Sequence, residues 1–253
     1  MLKWCVLAAA GALVLGLAGS VRADDAADAK AIVDKAVKAM GGEEALAKAR
    51  MVSWKSKTTI SFNGNDNVGA TAVVLDGVDH YRQDVTGSFN GNDFHLTVAV
   101  SGDKGVRKFG GNSAPLEGDA LAEQKRTAYL TAIPVMILPL RDKAFKLAPI
   151  AEVKVGDKPA AGLNVTAPDK KEFKIYFDKE SGLPVRMIGT VRGFGNQGEF
   201  MQTMDFSEYK DTGGIKKAMK LVAKREETPY LTQEITEFKV LDKVDPKTFT
   251  DVD

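Results

Sequence analysis

The sequence predicts an α+β fold that is mainly antiparallel β: one large, curved sheet with helices on one side. Three observations carry this reading. From Met51 onward, large apolar residues recur at every second position, and Asn-Gly pairs punctuate the runs. In mid-chain an uncharged stretch, Thr131–Leu140 (TAIPVMILPL), interrupts the strand pattern.

The chain of 253 residues opens MLKWCVLAAAGALVLGLAGSVRA. Lys3 gives a basic start, an apolar run reaches Leu17, and Val21 and Ala23 are the small residues a signal peptidase reads. Residues 1–23 are therefore expected to be a Sec signal peptide cleaved after Ala23. The run is shorter than the ~20 apolar residues of a membrane span. Cys5 lies ahead of the run, so no lipidated cysteine remains after cleavage. The expected mature protein, residues 24–253, is periplasmic, soluble and a single domain. Losing Lys3 and Arg22 leaves 33 basic residues against 34 acidic ones, which gives no electrostatic footprint for nucleic acid. Without Cys5 there is neither a disulfide nor a catalytic thiol, so a hydrophobic core must supply the stability.

Asp28–Met40 places Ile32, Ala36, Val37 and Met40 on one helical face, and Gly41-Gly42 ends the helix. Glu43-Glu44 open a second, short helix, acidic where the helix dipole favours it. In the first strand Val52, Trp54, Ile60 and Phe62 share a face, while Ser53, Lys55, Lys57, Thr59 and Ser61 share the other. SFNGND occurs at Ser61–Asp66 and again at Ser88–Asp93. Each copy reads as a tight hairpin turn, because neither continues to the acidic residue of a calcium loop. Phe94, Leu96, Val98 and Val100 alternate next, so residues 51–109 form a meander of four or five strands. Gly118–Leu140 is a helical insertion with Asp119 as its expected cap. Strands resume near Phe145, with a hairpin turning at Asp178–Gly182. Ile215–Glu226 fits either an amphipathic basic helix that touches anionic lipid or a strand with its lysines on the wet side, and the sheet on both sides of it favours the strand; Asp245-Pro246 begins an irregular tail.

A strongly curved sheet has a concave face, and an open one can hold a ligand there. Trp54, Ile60, Phe62, Phe94, Leu96 and Val98 are the candidate walls of an apolar cavity. Tyr129, Ile133, Val135, Met136, Ile137 and Leu138 are the candidate lid, with Pro134 and Pro139 breaking its helix. The alternative is that this apolar run simply packs in the core. No metal or catalytic signature stands against a binding reading: His80 and His95 are the only histidines, and HExxH, GxSxG and phosphate-cradling glycine loops are absent. No cofactor and no catalytic residue is expected.

The order of elements resembles the LolA/LolB-like lipoprotein-carrier superfamily over about Ala29 to Phe249. The pieces that carry the resemblance are a helix ending AMGG, the strand–turn–strand IYFDKESGLPVRM, FSEYKDTGGIKKAMKL, and the closing VDPKTF. The resemblance implies an open half-barrel with an N-terminal helix and a helical lid over a cavity for a lipid, an acyl chain or a lipoprotein. It implies a monomeric carrier of the cell envelope, not an enzyme. Members of the same fold also serve as RseB-like sensors that regulate an envelope membrane protein, and that class stays open, as more distantly does a hydrolase. The best-known carriers hold the lid with an arginine inside the barrel, and Val52–Phe62 supplies none.

Overall fold

A computed structural model of the chain describes residues 23–62, 64–89, 91–193 and 198–252. The expected signal peptide, apart from Ala23, and Cys5 lie outside the described residues. Helix α1 (Ala23–Ala39) and the short α2 (Glu43–Lys48) come first. Six strands follow: β1 (Met51–Phe62), β2 (Asn65–Asp76), β3 (His80–Phe89), β4 (Asn92–Ser101), β5 (Lys104–Phe109) and β6 (Asn112–Leu116). Helix α3 (Gly118–Met136) and a 3-10 turn (Leu138–Arg141) lead to seven more. These are β7 (Lys146–Val155), β8 (Lys158–Thr166), β9 (Glu172–Asp178), β10 (Pro184–Arg192), β11 (Glu199–Thr212), β12 (Ile215–Arg225) and β13 (Thr228–Val240).

All thirteen form one antiparallel sheet in the order β6-β5-β4-β3-β2-β1-β13-β12-β11-β10-β9-β8-β7. Every neighbouring pair is a hairpin in sequence except β1 with β13, which joins two meanders into one open surface. The two Asn-Gly motifs close the first and third hairpins: Phe62 pairs with Asn65 and Phe89 with Asn92, and Gly64 and Gly91 take the positive φ such turns need. Register shifts at Lys55/Ser56, Pro184/Arg186, Ala223/Lys224 and Ile150/Val153 bend the strands and curve the sheet. Pro115 in β6 and Pro149 in β7 sit on the two edge strands, where proline is tolerated and discourages further pairing.

This topology dictates the position of α3. The chain leaves the sheet at one edge, β6, and must re-enter at the other, β7. A helix of 19 residues spans roughly 28 Å at 1.5 Å per residue, enough to cross the concave face. There α3 meets β4 and β5 on one side and β10 on the other. Glycines make the approach possible: a Cβ on Gly189 would meet Leu130, and one on Gly105 would press Leu121. The helix starts on Glu117, which makes no side-chain cap, and Asp119 lies within the first turn instead. An acid there still favours the positive end of the helix dipole.

The core lies between the concave face and the helices. Val52, Leu75, Tyr81 and Val100 from one meander meet Leu163, Ile175 and Met187 from the other. Helix α1 buries Ala29, Val33, Ala36 and Val37, and Met40 in the turn after it is buried too, so the apolar face turns slightly from the expected one and leaves Ile32 half-buried. The tail is more ordered than expected. Asp245 caps a 3-10 turn, Pro246–Phe249, through the Lys247 N–H, and buried Phe249 lies against His80 with ring centres 5.4 Å apart.

Candidate ligand-binding face

Alternation along β1 aims Val52, Trp54, Ser56, Thr58 and Ile60 at the concave side. Trp54 is buried beside Phe238, its partner on β13, with ring centres 6.4 Å apart. Ser56 and Thr58 are also buried, and their small polar side chains satisfy one another: Thr58 Oγ1 donates to Thr71 Oγ1 at 2.9 Å, and Ser56 Oγ lies 3.3 Å from Thr58 Oγ1. Neighbouring Gly69 and Gly87 keep the inner surface shallow, since a Cβ on Gly69 would strike the Thr86 carbonyl.

The wall residues fall into two groups. Trp54 and Val98 lie in the core, whereas Ile60, Phe94 and Leu96 are half-buried. The Phe62 side chain lies outside those described. Beyond Trp54 the inward residues of β12 and β13 continue the surface with Leu221, Leu231 and Ile235, all half-buried and packed against the edge of the core. The concave face thus has a part covered by helices and an apolar part that is not.

Helix α3 forms the border between them. Tyr129, Ile133, Val135, Met136 and Ile137 are buried, Leu138 partly so, and all but Leu138 are core members. Tyr129 meets Phe145 edge-on, and Tyr81 is fully buried in the core. TAIPVMILPL is therefore the end of a helix, a reversal and a 3-10 turn. At the reversal Ile137 has φ of 52°, a conformation that costs a β-branched residue of order 1–3 kcal/mol. Its complete burial shows that packing holds it there.

One residue that the sequence reading passed over fixes α3 to the second meander. Arg126 is buried, donates through Nη2 to the Glu172 carbonyl, lies 3.6 Å from Asp169 and stacks over Phe173. Burial pulls its pKa below the usual value, and Asp169 and Glu123 oppose that pull. Glu123 also accepts from the Arg192 N–H. The signal was present in the sequence, because Arg126 falls on the stripe of Tyr129, Leu130 and Ile133 at helical spacing.

Two open clefts are present, one beside the N-terminal helices and one along the far end of strands β2 to β4. One of about 610 Å³, between α1 and β7, is rimmed by Arg141, which pairs with Asp34 and Glu43 at 2.6 and 2.7 Å. The other, of about 600 Å³, runs past Gly69, Gly87, Phe94 and His95. Among the described residues no group of His, Cys, Asp and Glu is arranged to hold a metal ion. No helix among them is long and apolar enough to cross a membrane.

No protein family and no curated protein matches the chain by sequence. Solved structures do match by shape. A LolA superfamily protein from Nitrosomonas europaea aligns with a TM-score of 0.57 at 10% identity, over 88% of this chain and 97% of that one. The fold is that of the LolA superfamily. Two further solved structures align with the chain. A DUF1329 family protein from Desulfovibrio piger gives 0.54 at 12% identity, over 87% and 96% of the two chains. An outer membrane lipoprotein-sorting protein domain from Vibrio parahaemolyticus gives 0.53 at 8% identity, over 86% and 97%. The chain shares with these structures one open antiparallel sheet with helices.

Proposed function

We propose that the chain is an exported, monomeric protein of the periplasm that binds a lipid, an acyl chain or a lipoprotein on its concave face, without catalysis or a cofactor. The observation that carries this is the set of half-buried inward residues Ile60, Leu221, Leu231 and Ile235, which surround the inward Ser56, Thr58 and Gln233 and lead to buried Trp54. The likeness to a lipoprotein-sorting domain supports the same class of ligand. In this reading α3 covers one half of the face, and the acyl chain lies along the other half, against the border that α3 makes. The driving force is burial of alkyl surface, worth about 0.8 kcal/mol per methylene. Eight buried methylenes give roughly 6 kcal/mol, corresponding to tens of micromolar before the cost of ordering the chain.

Trp54 is the one tryptophan left once residues 1–23 are removed, so its emission reports on this border. Titrating dodecanoate into the purified protein below its micelle concentration should shift that emission and saturate at one equivalent. An emission unchanged up to millimolar dodecanoate would contradict the proposal.

A further inference from the structure

The uncovered face carries one charge that the fold does not satisfy. Strand β12 points Ile215, Lys217, Met219, Leu221 and Ala223 inward; Ile215 and Ala223 at the two ends are buried, and Lys217, Met219 and Leu221 between them are only partly so. Lys217 therefore stands at the start of a partly buried run, next to the core residue Ile215. Its ammonium lies 5.0 Å from the centre of the Trp54 ring, on the ring face. No carboxylate pairs with it among the described residues; of the outward lysines of the same strand, Lys220 lies 3.7 Å from Glu208 and Lys224 3.9 Å from Glu227, while Lys216 is exposed to water.

The other inward cations differ from it. Arg225 is held by Gln202 and stacked on Tyr230 and Phe200, and Arg126 is held by the Glu172 carbonyl and Asp169. Lys217 has the π face of one tryptophan and apolar neighbours. Desolvation lowers its pKa to about 8, which leaves the ammonium largely protonated at neutral pH and poorly solvated. An ammonium in such surroundings gains more from an anionic oxygen than one in water does, because little hydration has to be displaced and the local dielectric is low. A cation–π contact only partly compensates the lost water.

We infer that Lys217 is a headgroup-binding residue, and that the ligand of the open face is an anionic amphiphile: an alkyl chain bearing a carboxylate or phosphate. The chain lies over Met219 and Leu221 while the anionic oxygen accepts hydrogen bonds from the Lys217 ammonium beside Trp54. The inference rests on the proposed amphiphile binding and adds to it the sign of the headgroup charge.

The test compares four probes, dodecanoate, dodecyl phosphate, dodecanol and inorganic phosphate, by calorimetry and Trp54 emission on wild type, Lys217→Met and Lys217→Arg. Methionine keeps the apolar stem over the tryptophan and removes the charge. The expected result is that wild type and Lys217→Arg bind both anionic probes at least tenfold tighter than dodecanol. In Lys217→Met the affinities for the three alkyl probes converge, and inorganic phosphate binds none of the proteins measurably. If Lys217→Met binds the anionic probes as selectively as wild type does, Lys217 is not the headgroup site, although amphiphile binding stands. If inorganic phosphate binds as tightly as dodecyl phosphate, the site is one for free anions. Failure of every alkyl probe to bind wild type overturns the amphiphile reading itself. Should Lys217→Met lose its fold by circular dichroism, Lys217→Gln makes the same comparison with a polar, uncharged side chain.

Discussion

Ile137→Asp is expected to unfold the protein at room temperature. The side chain is completely buried at the reversal between α3 and the 3-10 turn, among Ile133, Val135 and Leu140. A bare carboxylate there is unfavourable by several kcal/mol even after water penetrates, or forces its own protonation. Losing the isoleucine adds a cavity cost of about 2–5 kcal/mol. Against a total stability of order 5–15 kcal/mol, the folded state has little margin left. Circular dichroism and a denaturant midpoint check this, with Ile32→Asp on the half-buried flank of α1 as the mild control. A folded Ile137→Asp protein that has lost only ligand binding would mean that α3 swings away from the sheet as a movable lid, because lids are drawn from the least stable parts of a structure.

Leu221→Asp and Leu231→Asp should do the opposite: keep the fold and lose the ligand. Both side chains are half-buried at the edge of the core on adjacent strands, where Leu231 pairs with Ala223 and Leu221 with Gln233. Their carboxylates can stay hydrated in the free protein, so stability should fall by only about 1 kcal/mol. A bound alkyl chain would have to strip that water, and an anionic headgroup nearby would be repelled. Dodecanoate affinity should therefore drop about a hundredfold, or roughly 2.7 kcal/mol. Trp54 titration paired with denaturant midpoints measures both quantities. Unchanged affinity in both variants would remove the ligand from this face.

The strands were legible because nearly every one is buried on a single side, which imposes period two on its apolar residues. The Asn-Gly turns were legible because only residues that accept positive φ close a two-residue hairpin. What sequence periodicity could not show is which apolar residues the helices cover. Trp54 and Ile60 lie on the same face of β1, yet Trp54 lies in the core and Ile60 is half-buried, because burial on that face runs on through Ser56 and Thr58 and ends before Ile60. Hydrophobic patterning also overlooks inward polar residues. Ser56 and Thr58 were invisible because they satisfy each other. Lys217 was grouped with the wet lysines of Ile215–Glu226, although the strand reading itself, applied residue by residue, turns it inward with Ile215 and Met219. Arg126 was missed on α3 in the same way.

The central claim is that an alkyl chain lies on the uncovered concave surface of β1, β13 and β12. A fatty acid with a photoreactive diazirine near its methyl end, irradiated with the protein and followed by peptide mapping, tests it most directly. The account predicts adducts on Ile60, Met219, Leu221, Leu231 and Ile235, competed away by excess dodecanoate. Adducts confined to the outward residues of these strands, or spread over the surface without competition, would contradict it.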